Sequence, residues 1–161
     1  YDTAQASFEL LARRELNQSP NFFEVKRYRV SIERRKNKYN NMISLSEAMV
    51  VVKVGDEKKL SVSESMDENG SDLGPVNALA KALGKDLGPF QTIIDDMKLV
   101  DFKVRITQGG TDAVTCVVID SEDSKGRRWA TVGVSANIVD ASFEALLDAI
   151  NWKLIRDYKP A

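Results

Sequence analysis

The chain has 161 residues, 43% hydrophobic and 29% charged, with 23 basic against 24 acidic side chains and a net charge of −1. That length holds one core or two small repeated units; the composition excludes general disorder, and the balanced charge gives no overall attraction to nucleic acid or an anionic membrane. Histidine is absent, which removes the commonest acid–base side chain near neutral pH and the commonest metal ligand.

Residues 2–16 carry Ala4, Phe8, Leu11 and Ala12 at helical spacing and close on Asn17-Gln18-Ser19-Pro20, so a helix and a break are expected. From Phe22 the period becomes two: Val25, Tyr28, Val30 and Ile32 have strand spacing, with the first pair off register as at a bulge. The polar run from Glu33 to Asn41 has the look of a long loop. Ala48 to Val54 is a strand, Gly55 to Lys59 a turn and Leu60 to Ser63 another strand.

Met66 to Pro75 is a loop whose proline suits the first turn of a helix bearing Val76, Leu79, Ala80 and Leu83, with a stop expected at Gly84 or Gly88-Pro89. The order then recurs. Leu99 to Ile106, Ala113 to Ile119 and Trp129 to Val134 are strand-like, joined by turns at Gly109-Gly110 and from Asp123 to Arg127. A helix from Ile138 sets Ala141, Ala145, Leu146, Ala149, Trp152 and Ile155 on one broad side. The single thiol, Cys116, lies in the apolar run 113–119 and is expected to be a small buried hydrophobe; one thiol allows no internal disulfide, as suits the cytosol. No apolar run approaches the ~20 residues of a membrane span.

Pairing Tyr28 with Phe102, Ala48 with Ala113, Val62 with Val132 and Val76 with Val139 gives offsets of 74, 65, 70 and 63. The offset changes where a loop intervenes, which predicts two copies of strand-strand-strand-helix in an α+β fold related by a pseudo-twofold.

Two helix starts carry the candidate chemistry. A helix start presents backbone N–H groups and the positive end of a dipole, which suits a carboxylate. The first spans Ser71 to Ala78 and the second Val134 to Ala141; apolar Val76, Ile138, Leu99 and Phe102 can surround an aliphatic side chain, and Asn77 and Asp140 can meet an ammonium group. The basic cluster Lys26, Arg27, Arg29, Arg34, Arg35, Lys36 and Lys38 is interrupted by Glu24 and Glu33 and is expected to be a solvated face rather than a nucleic-acid track. Asp95-Asp96 and Asp120, Glu122 and Asp123 sit in polar, turn-like segments and are expected to be exposed loop charges.

From Phe22 to about Ile155 the sequence resembles the C-terminal regulatory domain shared by 2-isopropylmalate synthases and citramalate synthases. The resemblance is carried by Gly74-Pro75-Val76-Asn77-Ala78-Leu79, by Asp101-Phe102-Lys103-Val104-Arg105-Ile106, and by the run from Trp129 to Ser142. The opening Tyr1 to Leu11 is similar to the linker before this domain in citramalate synthases. The resemblance implies a fragment of a longer enzyme, with residues 1–20 as a linker helix and 21–161 as the regulatory domain, its units spanning about 22–88 and 97–158.

It also implies no catalytic residue, metal or cofactor in this chain. The parent's TIM barrel would condense acetyl-CoA with a 2-oxo acid, and the domain would form a homodimer in the cytoplasm, with neither nucleic acid nor membrane as partner. The implied effector is isoleucine, with leucine next, bound near the helix starts by Leu73, Gly74, Pro75, Val76, Asn77, Leu99, Phe102, Ile106, Asn137, Ile138 and Asp140. The alternative is a dimerisation module without ligand sensing.

Overall fold

The computed structural model describes residues 5–16, 22–67, 73–85, 87–109 and 112–158. Two compact units make up the chain: a first unit of Phe23–Gln91, and a second of Thr92–Ala161 together with Tyr1–Phe22. Each is a three-stranded antiparallel sheet followed by a helix, which is the α+β architecture expected.

In the first unit β1 (Glu24–Lys36), β2 (Met42–Val54) and β3 (Glu57–Asp67) form a meander with β2 central, followed by α2 (Leu73–Leu83). The inner face of β2 alternates Ser46, Ala48, Val50, Val52 and Val54, all buried, and α2 lies over β2 and β3. Val76, Leu79 and Leu83 recur at helical spacing on the buried side of α2. The helix ends at Leu83, immediately before Gly84, and Gly88, at φ 61°, opens a short 3-10 turn through Phe90. The Gly55-Asp56 hairpin turn has Gly55 at φ 62°.

The second unit contains α1 (Gln5–Glu15), β4 (Met97–Gly109), β5 (Asp112–Asp123), β6 (Arg128–Ser135) and α4 (Ile138–Asp157); the short α3 (Gln91–Asp95) leads into β4. β5 is central, and Thr115, Val117, Ile119, Ser121 and Asp123 form its buried face. Helix α4 covers β5 and β6, and α1 packs on α4 and β6.

Strand register refines the repeat. The bulge expected after Val25 lies between Val25 and Arg27, and β4 has its counterpart between Leu99 and Asp101. Tyr28 then faces Val50 and Phe102 faces Ile119, while Ser61 and Thr131 lie opposite those same residues. The offsets of 74 for the first strand and 70 for the third therefore stand. The middle strand needs 69, so Ala48 matches Val117 rather than Ala113, which corrects the offset of 65. With 69, the buried residues 46, 48, 50, 52 and 54 fall on 115, 117, 119, 121 and 123.

Three expectations change. The long loop over 33–41 is a hairpin: β1 runs to Lys36, the chain turns at 37–41, and β2 starts at Met42 rather than Ala48. Residues 31–36 are exposed throughout, so the strand continues past the core and shows no alternation. The turn after Val54 is two residues long, because β3 resumes at Glu57. Cys116 is half-buried, since even-numbered residues of β5 face away from the helix. The basic cluster is exposed at every position, as a solvated face requires.

Candidate functional site

The start of α4 is set by its fit to β6. The Nε1–H of Trp129 donates to the carbonyl of Ala149 at 3.2 Å, and the Thr131 hydroxyl donates to the carbonyl of Ala145 at 2.8 Å. A Cβ added at Gly133 would lie 1.8 Å from the carbonyl oxygen of Ala141. Steps of two residues on the strand thus match steps of four on the helix, since ~6.6 Å of strand and ~6 Å of helix are commensurate. Glycine is required where the two backbones approach most closely.

At the helix start the Asn137 carboxamide oxygen accepts from the amides of Val139 at 2.7 Å and Asp140 at 3.4 Å, and Asn137 donates its own N–H to the Ser135 hydroxyl at 3.3 Å. These amides are not left open, as the sequence reading expected, but are capped by the chain itself. A ligand carboxylate at this start would have to displace the Asn137 side chain. Asn137 and Asp140 are exposed and Ile138 is half-buried.

β4 contributes Leu99, Phe102 and Ile106 from its helix-side face, where the bulge keeps Leu99 in phase with the other two. Ile106, Thr115 and Ser135 lie in one row across the sheet, which puts Ile106, 62% exposed, at the end where α4 begins. Leu99 lies in the row of Ser121 and Trp129 at the opposite end, about 20 Å along the strands. Phe102 lies between them and is half-buried.

The other helix start belongs to the first unit. Leu73 opens α2, Gly74 is buried, Pro75 is half-buried and Asn77 is exposed, whereas Val76, 5% exposed, is committed to the core. The preceding loop residues 69–72 lie outside the described residues.

The largest electrostatic feature was missed in the sequence. Lys153, with no exposed side-chain surface, donates to Asp96 at 3.0 Å and to Asp123 at 2.9 Å, and pairs with Asp157 one helical turn on. Arg127 closes the cluster through Asp123 at 2.8 Å and Asp157 at 2.6 Å. Asp96 and Asp123 are therefore not the exposed loop charges expected; they converge on a lysine brought from α4. Burial alone would raise the carboxyl pKa values, but the bonds from Lys153 and Arg127 outweigh it, holding Asp157 at about 2 and Asp123 well below the usual carboxylate range. Burial would likewise lower the Lys153 pKa, yet its three carboxylate partners raise it. A signal was available: Leu146, Ile150, Lys153 and Asp157 form one helical stripe, in which an i, i+4 ion pair follows two apolar residues. The lysine supplies the charge that three convergent carboxylates would otherwise draw from an ion, so the cluster is a structural clamp.

Among the described residues no helix is long and apolar enough to cross a membrane. The LeuA allosteric (dimerisation) domain family matches residues 2–154. An (R)-citramalate synthase of Geobacter sulfurreducens is 43% identical over 156 residues, covering 96% of this chain and 28% of the relative. That of Aquifex aeolicus is 39% identical over 161 residues, covering 98% and 28%. A 2-isopropylmalate synthase of Methanocaldococcus jannaschii is 35% identical over 112 residues, covering 70% and 19%. The chain thus spans little more than a quarter of the citramalate synthases it matches. The match over almost the whole chain, on two sheet-and-helix units, places it in the LeuA allosteric (dimerisation) domain family.

Proposed function

We propose that this chain is the regulatory part of a citramalate synthase type acyltransferase, that it forms a homodimer, and that it binds isoleucine, with leucine next, to inhibit a catalytic TIM barrel of the same polypeptide. The observation that carries this reading is the family match across residues 2–154 together with two citramalate synthases aligned over nearly the whole chain. The candidate effector residues are Leu73, Gly74, Pro75, Val76 and Asn77 at the start of α2 and, in the second unit, Asn137, Ile138 and Asp140 at the start of α4 with Phe102 and Ile106 of β4; Leu99 lies at the far end of that strand. At α4 its carboxylate would replace the Asn137 cap and its ammonium would face Asp140. A cytoplasmic setting belongs to the same reading, since Cys116 is a free thiol.

Inhibition follows from linkage: an effector that favours one conformation of the domain shifts the barrel by its differential affinity, about 1–3 kcal/mol. The test is thermal melting with isoleucine, leucine and valine, alongside light scattering. Isoleucine at about 100 times its Kd should stabilise the chain by about 2.7 kcal/mol, Asn77→Ala and Gly74→Asp should remove the shift, and the particle should have twice the chain mass of 17.9 kDa. A dimer whose melting ignores all three amino acids would support a dimerisation module without sensing; a monomer would end both readings.

A further inference from the structure

The face of the first sheet turned away from α2 carries charges that the chain itself leaves unmatched. Register places Arg27 and Arg29 of β1 beside Val51 and Met49 of β2, and these beside Leu60 and Val62 of β3. In the next row of the same face Glu47 lies directly opposite Glu64. We propose that this face is self-complementary and that a second copy of the chain stacks on it; the inference places the homodimer contact and rests on the homodimer reading given above.

Like charges directly opposite each other on a sheet are destabilising, yet Glu47 and Glu64 stand so, both exposed. The fold does not call for them: with the offsets of 69 and 70, the matching residues of the second sheet are Cys116 and Val134. Among the described residues, the ion pairs of the first sheet join Lys26 to Glu24 and Lys59 to Glu57 and engage neither arginine and neither glutamate of this face. Between the two charged groups lies an apolar patch, with Leu60 63% and Val62 41% exposed and Met49 and Val51 half-buried.

A partner of one charge would match one group and repel the other. A second copy turned by a twofold axis matches both, because an isologous contact pairs residue i with j and j with i. Strands lie ~4.8 Å apart and side chains of one face recur every ~6.8 Å along a strand, which sets Arg27 and Glu64 at opposite corners of the patch with Met49 at its centre. A twofold axis through Met49, lying in the plane of the contact, lays Arg27 on Glu64 of the second copy, brings Arg29 to its Glu47 and covers Val51 and Leu60 with its Val62. The strands of the two sheets then cross steeply, close to the orthogonal class of sheet packing.

The experiment measures particle mass by light scattering over a concentration series for the chain of 17.9 kDa, for Arg27→Glu with Arg29→Glu, for Glu47→Arg with Glu64→Arg, and for an equimolar mixture of the two double variants. Wild type should show twice the chain mass and dissociate more readily as salt rises. Each double variant alone should dimerise about tenfold more weakly or worse, since like charges then face each other. The mixture should recover the dimer, because both contacts regain opposite signs, and no fold defect would be repaired by mixing. Circular dichroism melting checks each fold; should a double variant fail to melt cooperatively, Arg27→Glu mixed with Glu64→Arg makes the same comparison. A double variant that dimerises as tightly as wild type, or a mixture that stays monomeric, overturns this placement and leaves the homodimer reading standing; a monomeric wild type ends both.

Discussion

Replacing Lys153 with methionine removes the ammonium from a cluster in which Asp123 has no exposed side-chain surface and Asp157 retains 12%. Arg127 still reaches both carboxylates, but it must neutralise alone what two cations shared. Breaking a buried ion cluster by removing one partner costs about 3–5 kcal/mol. For a chain of 161 residues this is about 6–20 °C in melting temperature, read by circular dichroism at pH 7. The pH dependence sharpens the test. Asp157 and Asp123 have folded pKa values below the unfolded one of about 3.9, so their contribution is complete above pH ~4 and is lost as pH falls toward about 2. Without Lys153, burial raises both values again, so the gap between wild type and variant should narrow on acidification through that window. Adding Asp123→Val should recover half or more of the loss, because the matching position in the first sheet, Val54, is apolar and buried. A Lys153→Met chain melting within about 2 °C of wild type at pH 7, or a gap that widens toward pH 3, would refute the clamp.

Gly133→Ala forces β6 and α4 apart at the Ala141 carbonyl; a loss of about 3 kcal/mol or more is expected in urea unfolding. Asn137→Ala removes the cap of α4 and should cost about 1 kcal/mol, while hydrogen exchange accelerates at Val139 and Asp140. Ser7, whose hydroxyl accepts from Val132 at 2.8 Å and donates to Asp148 at 2.8 Å, latches α1; Ser7→Ala should raise amide exchange along α1, whereas exposed Arg14→Ala should change stability by less than about 1 kcal/mol.

The repeat was legible because each sheet buries one face, and burial imposes a period of two that survives weak identity between copies. The bulge was legible for the same reason: one residue out of phase between Val25 and Tyr28 has a single geometric cause. The hairpin through 33–41 was hidden because β1 extends beyond the core there, where exposed strand and loop share a composition. The Lys153 cluster was hidden differently. Its acids come from a connector, a hairpin end and a helix end, and their convergence is a property of the packed unit rather than of spacing. At the candidate site, sequence located both helix starts but could not show that Asn137 caps one of them or that Leu99 lies at the far end of its sheet.

The sensor reading is tested most directly by calorimetric titration of isoleucine, leucine and valine into the chain. The account predicts a saturable heat, largest for isoleucine, that disappears when Asn77→Ala is added. The absence of heat with all three amino acids would contradict it.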